Sequence, residues 1–150
     1  MPAKNNIARI CVLSSYIKRR SNLCLMSEKE SFLDNRELQL CLQESLENLK
    51  LCNIACALNC RCCGKSSSAD LIALYDAMQS VFEQILFRTR ALLIKAELNS
   101  SCISVRIQID PITLEKPLNT CSFLKLGGTV EHQKSTDACR ITFKIGDKTA

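Results

Sequence analysis

The sequence has no tryptophan and a single histidine, and aromatic residues fill only 5% of its 150 positions. Proteins that hold nucleic-acid strands by base stacking need exposed aromatic rings, so no nucleic-acid partner is expected. No run of about 18 apolar residues occurs, and nothing in the chain reads as a membrane span. Nor is a signal peptide legible, because Arg9 interrupts the apolar-leaning "IARICVL" and no cleavage site follows. A cytoplasmic location is therefore expected. With His132 alone near the end of the chain, neither a Ser/His/Asp nor a Cys/His constellation can be assembled. No carboxylate pair stands out as an acid/base couple, which leaves a hydrolase without a site. Gly64-Lys65-Ser66 lacks the earlier glycine of a phosphate loop.

What the chain does have is 47% hydrophobic and 23% charged residues, a globular balance whose core must rest on Leu, Ile, Val and Cys. Eleven cysteines are present, densest in "LCNIACALNCRCCGK". Structural zinc sites use paired C-x₂₋₄-C knuckles, whereas Cys52, Cys56 and Cys60 recur with three residues between them, followed by Cys62 and Cys63. As a strand, the segment puts Ile54, Cys56, Leu58, Cys60 and Cys62 on one face. Core packing by free thiols is the favoured reading, with a cysteine-based metal or redox module as the alternative. The formal charge of +5 is concentrated in residues 1–20, which carry Lys4, Arg9, Lys18, Arg19 and Arg20 and no acid. That head reads as a solvated helix face, with "KRRS" as an alternative docking point for an acidic patch.

Along the chain, Ile7, Ile10, Cys11, Leu13 or Ser14, Ile17 and then Leu23–Met26 predict a helix from about 7 to 27. Asp34 or Asn35 caps a second helix, with Leu38, Cys41, Leu42, Ser45, Leu46 and Leu49 on its apolar face. The short acidic link between the two predicts an antiparallel hairpin. "ACALNCRC" reads as a strand and 64–68 as a loop, with Ser68 capping a helix that carries Leu71, Leu74, Tyr75, Met78, Val81, Phe82, Ile85 and Leu86. "ALLIKAEL" and "CISVRIQID" form a hairpin around Asn99-Ser100-Ser101. A short helix in "LNTCSFLKL", stopped by Gly127, precedes two final strands, "TVEH" and "CRITFKIG". The order α, α, β, α, β, β, short α, β, β predicts a two-layer α+β sandwich.

This order, together with the closing "LKLGGTVEHQKSTDACRITFKIG", resembles the C-terminal part of bacterial sensor histidine kinases. Within that group "YIKRRSNLCLMSE", "RELQLCLQESLENLKLC" and "IALYDAMQSVFEQIL" are similar to helices of a divergent sensor-kinase-like set. The resemblance implies residues 1–52 as a dimerisation-like helical hairpin and 53–150 as a histidine-kinase-like ATPase domain. It also implies ATP with Mg²⁺ as cofactors, a homodimer through the N-terminal helices and a response regulator as partner. An Asn of the third helix would hold the magnesium, and counting back from "LLIKAEL" puts its neighbourhood at Gln79, with Glu83 or Gln84. The adenine-binding Asp of D-x-G-x-G falls on Asp110, but "DPITL" has neither glycine. Only some fifteen residues separate Asp110 from Gly127, too few for the glycine-rich phosphate lid, and no phosphoacceptor His lies in residues 1–50. The resemblance thus gives a kinase-type domain with eroded nucleotide motifs, or a catalytically inactive pseudo-ATPase scaffold for dimerisation and docking.

Overall fold

The two segments with the cleanest alternation lie at the centre of the structure, a computed structural model that describes residues 2–146. In chain order the elements are α1 (Pro2–Lys29), β1 (Phe32–Asp34), α2 (Arg36–Leu51), β2 (Ala55–Cys62), β3 (Lys65–Ser67) and α3 (Ser68–Ile85). They continue with β4 (Ala91–Leu98), β5 (Cys102–Ile109), α4 (Cys121–Lys125), β6 (Thr129–Lys134) and β7 (Cys139–Gly146). Strands β4 and β5 pair antiparallel, with Leu98 opposite Ile103 and Leu92 opposite Ile109. Their turn is closed by Asn99, whose Oδ1 accepts the Ser101 and Cys102 N–H groups at 3.0 and 2.9 Å. The sheet order is β2-β4-β5-β7-β6, and only β2 and β4 run parallel, with α3 in the crossover between them.

Helices cover one face of this sheet. Residues 92, 94, 96 and 98 of β4, 103 to 109 of β5 at alternate positions, and Cys139, Ile141, Phe143 and Ile145 of β7 are buried there. Against them lie Leu71, Leu74, Tyr75, Met78, Val81, Phe82 and Ile85 of α3 and Leu38, Cys41, Leu42, Leu46 and Leu49 of α2. The architecture is the expected two-layer α+β sandwich. Cys56, Leu58, Cys60 and Cys62 pack partly buried against the core, while Ala55, Ala57, Asn59 and Arg61 are exposed. The sequence partition at residue 52 falls between α2 and β2, whose side chains share one hydrophobic cluster.

The loops around the first two helices differ from expectation. The acidic link contains β1, which pairs antiparallel with β3 in the segment read as a loop. Buried Asn35 ties the same corner: its N–H donates to the Gly64 carbonyl and its Nδ2 to the Cys63 carbonyl. Asp34 serves the end of α2 by accepting the Arg36 N–H at 2.9 Å. Ser68 is the first residue of α3 and Ser67 its cap, without a side-chain bond.

Helix α1 turns an unexpected face inward. Val12, Leu23 and partly buried Tyr16 and Met26 face the core, while Ile7, Ile10 and Ile17 are 63, 61 and 60% exposed. The basic run is the clasp: Arg20 donates from Nε and Nη2 to the two carboxylate oxygens of Asp76 on α3 at 2.8 and 3.1 Å. Tyr16 also donates to Asp76, and Arg19 pairs with Glu44 on α2. Two-point Arg–carboxylate contacts fix orientation as well as charge, so α1 is held across both α2 and α3. Lys4, the other end of the basic head, has its side chain outside the described residues.

At the far end of the sheet, Phe123 of α4 is fully buried and meets Phe143 edge-on at 6.0 Å. Gly127 turns the chain at φ 93°, and a Cβ placed on Gly128 would come within 2.4 Å of the Phe123 ring. Gly128→Ala is expected to lower unfolding free energy by about 1–3 kcal/mol through overpacking. Urea denaturation, with the slope m unchanged, measures this.

Candidate functional site

The C-terminal half of α3 presents Ser80, Glu83, Gln84 and, just beyond its end, Arg88 to the segment that joins β5 to α4. Spacing by three and four residues aligns these side chains on one helix edge. The helix ends at Ile85 rather than continuing through "LFRTR": Leu86 leaves the helical region at ψ 128°, and Phe87 after it takes a left-handed conformation, φ 63°. That conformation is costly for a bulky residue. Its exposed ring lies under the Arg9 guanidinium, 5.7 Å from the ring centre.

The joining segment, residues 110–120, is pinned to this edge. Gln84 Nε2 donates to the Lys116 carbonyl at 2.8 Å, and the Lys116 N–H donates back to Gln84 Oε1 at 3.0 Å. The Asn119 N–H donates to Ser80 Oγ at 3.0 Å. Arg88 donates to the Thr113 carbonyl at 2.6 Å, and Lys134 Nζ donates to the Thr113 hydroxyl at 2.7 Å. Around these contacts a cleft of about 520 Å³ remains, lined by Arg9, Glu83, Gln84, Phe87, Arg88 and Lys116 among others. Partial desolvation raises the Glu83 carboxyl above its ordinary value, with Lys116 opposing.

Asp110 stands elsewhere. Its Oδ2 accepts the Arg90 N–H at 2.7 Å and the buried Thr89 hydroxyl at 2.9 Å, and its own N–H donates to Thr89 Oγ1 at 3.3 Å. The Arg90 amide, helped by Thr89, holds the carboxyl below the usual aspartate range against some desolvation. Asp110 lines a second hollow, with Ala55, Ala57, Leu93 and Gln108. Glu83 and Gln84 therefore share a cleft that Asp110 does not line. Gln79 is buried in α3, and its Nε2 has no hydrogen-bond partner. Thr89 and the Lys116 peptide were not legible as site members, since a backbone partner leaves no side-chain signal in a sequence.

His132 is exposed on β6, its Nε2 3.0 Å from the Sγ of buried Cys139. All eleven cysteines are free. Burial pushes the Cys56 and Cys60 thiols up to about 11, so both are protonated near neutral pH. Among the described residues no three His, Cys, Asp or Glu side chains come together to hold a metal ion.

No protein-family model matches the sequence, and no curated protein matches it. Solved structures do match the fold. The histidine kinase domain of the Erythrobacter litoralis EL346 blue-light activated histidine kinase aligns at TM-score 0.63 and 10% identity, over 90% of this chain and 74% of that one. The Acinetobacter baumannii histidine kinase AdeS aligns at TM-score 0.60 and 14% identity, over 91 and 78%. The nucleotide-free catalytic domain of histidine kinase ThkA aligns at TM-score 0.56 and 14% identity, over 77 and 93%. The fold is that of histidine kinase catalytic domains. No helix among the described residues is long and apolar enough to cross a membrane.

The Asp110 contacts carry a pH signature. Because its folded pKa is depressed, the unfolded chain binds the extra proton first, and stability rises with pH in this window. The contribution is complete above the ordinary aspartate value of about 4 and is lost as pH falls through the lower folded value. Asp110→Asn should therefore flatten the drop in Tm on going from about pH 5 to about pH 3; an unchanged drop in a thermal melt series would refute the assignment.

Proposed function

We propose that this chain is the ATPase-type C-terminal part of a sensor-histidine-kinase-like signalling protein, and that its own 110–120 segment closes the nucleotide cleft. In this reading it works as a pseudo-ATPase, a dimerisation and docking module rather than a phosphotransfer engine. The observation that carries the reading is the two-way pairing of the Gln84 amide with the Lys116 peptide. At the position where a kinase would offer an amide to Mg²⁺, both ends of this amide are engaged by the chain itself. Magnesium tolerates little departure from octahedral geometry, and a Gln side chain is one methylene longer than Asn. Asp110, the counterpart of the adenine-binding residue, spends Oδ2 on Thr89 and Arg90. The residues present thus do not fit Mg-ATP in this arrangement.

Titration calorimetry with Mg-ATP tests the reading. No heat is expected up to millimolar nucleotide, a free energy weaker than about 4 kcal/mol. Micromolar binding that Asp110→Asn abolishes would restore the active kinase reading.

Support for a homodimer comes from the outward stripe of α1. Ile7, Ile10 and Ile17 are each more than half exposed, and with Leu13, 41% exposed, they recur every three or four residues as a narrow seam of the kind helices bury against a second copy. A response regulator would meet a basic run whose Arg19 and Arg20 are already paired, leaving Lys18 as its freer cation. The cysteine row favours packing over a metal or redox module, since its desolvated thiols are poor nucleophiles and ligands. Ile10→Glu with Ile17→Glu is expected to convert dimer to monomer in sedimentation analysis while the circular dichroism spectrum is kept. A monomeric wild-type chain would remove the dimer.

A further inference from the structure

The side of the sheet that no helix covers carries an unusual arrangement of charge. Alternation places Arg61 of β2, Lys95 and Glu97 of β4, Arg106 of β5, Arg140 and Lys144 of β7 and Glu131 of β6 on that side, all exposed. Arg106 is the centre. Lys95 lies directly opposite it on β4, and Arg140 and Lys144 flank its partner Thr142 on β7. Like charges directly opposite across a strand pair are destabilising, and Arg106 has one acid, Glu97, against three cations among its nearest charged neighbours on these strands.

On the helical side, by contrast, Arg19, Arg20, Lys50 and Arg88 each meet a carboxylate. Among the described residues none of Arg61, Lys95, Arg106, Arg140 or Lys144 has an ion-pair partner, although Glu97 sits in register with Arg61. A cleft of about 380 Å³ opens over this cluster, lined by the cations Arg61, Lys95 and Arg106, the one acid Glu97, and Asn59, Ser104 and Thr142 among others.

We propose that the open face of the sheet docks a carboxylate-rich polypeptide surface. Guanidinium groups fork onto carboxylates in two-point geometry, and neighbouring strands set the cations about 5 Å apart in the sheet, a spacing that successive acidic side chains of an extended segment can follow. A protein partner fits better than nucleic acid for two reasons. Among the described residues no aromatic side chain lies on the face to stack a base. Glu97 and Glu131 would repel a continuous phosphate backbone, whereas a polypeptide can answer them with a basic residue. The small side chains of Ala55, Ala57 and Ala91 at one end leave room for close approach of a backbone. The face lies across the sheet from the helices, so its use is independent of whether the nucleotide-type cleft is closed.

The test is fluorescence anisotropy of the full chain with a labelled glutamate-rich peptide of about a dozen residues, at about 50 and about 300 mM salt. The wild type is expected to bind, and more weakly at the higher salt. Lys95→Gln with Arg106→Gln is expected to weaken binding about tenfold or more, while Lys50→Gln with Lys125→Gln, which removes the same charge from the helical side, leaves it nearly unchanged. No binding, equal loss from both pairs of substitutions, or tighter binding of single-stranded DNA than of the peptide would each overturn the proposal. Unchanged thermal melts of both variants exclude misfolding as the cause.

Discussion

The Gln84 amide and the Lys116 peptide exchange two hydrogen bonds, Nε2 donating to the Lys116 carbonyl and Oε1 accepting the Lys116 N–H, and the neighbouring contacts of the cleft are arranged around that pair. It draws residues 110–120 onto the edge of α3, where Ser80 and Arg88 take up the neighbouring backbone groups of Asn119 and Thr113. Each such bond contributes modestly in net terms, about 1 kcal/mol, but several on one short segment act together. Pro111 and Pro117 lower the entropy that this segment loses on being pinned. A histidine-kinase-type fold thereby keeps its layers while residues 110–120 are pinned along the edge of α3.

A second restraint acts at the other surface of the same helix. Asp76 is on α3, as are Ser80 and Gln84, and it receives Arg20 and Tyr16 from α1. Helix α3 is therefore held on three sides: by the sheet through its apolar stripe, by α1 through Asp76, and by the 110–120 segment through Gln84. The partly buried carboxylate has its charge answered by a two-point guanidinium, which makes the pair orienting as much as stabilising. With its inward face committed in this way, α1 leaves Ile7, Ile10 and Ile17 for another surface.

The elements most legible in the sequence were those whose burial is set by their own period. Leu38 to Leu49 of α2 and Leu71 to Ile85 of α3 are buried on the faces read from spacing, and β4 and β5 pair around Asn99 as their alternation indicates. Where pairing joins distant short segments, local pattern carries little. Strands β1 and β3 have three residues each, too few for alternation, and their partnership depends on register about 33 residues away. Helix α1 forms where the spacing puts it, but its basic head, read as a solvated face, is engaged instead, because the carboxylate partners of Arg19, Arg20 and Tyr16 come from other helices. In the cleft, counting along the chain located Glu83 and Gln84 on one edge of α3, but the partner of Gln84 is a backbone peptide. Nothing in the identity of Lys116 announces that role.

Amide hydrogen exchange at Lys116 and Asn119 addresses the central claim most directly. Both N–H groups lie in an exposed segment yet donate to side chains of α3. Closure of the cleft by the chain itself predicts that both exchange more slowly than an unprotected loop, and that millimolar Mg-ATP leaves their rates unchanged. Exchange at the unprotected rate, or a loss of protection when nucleotide is added, would contradict it.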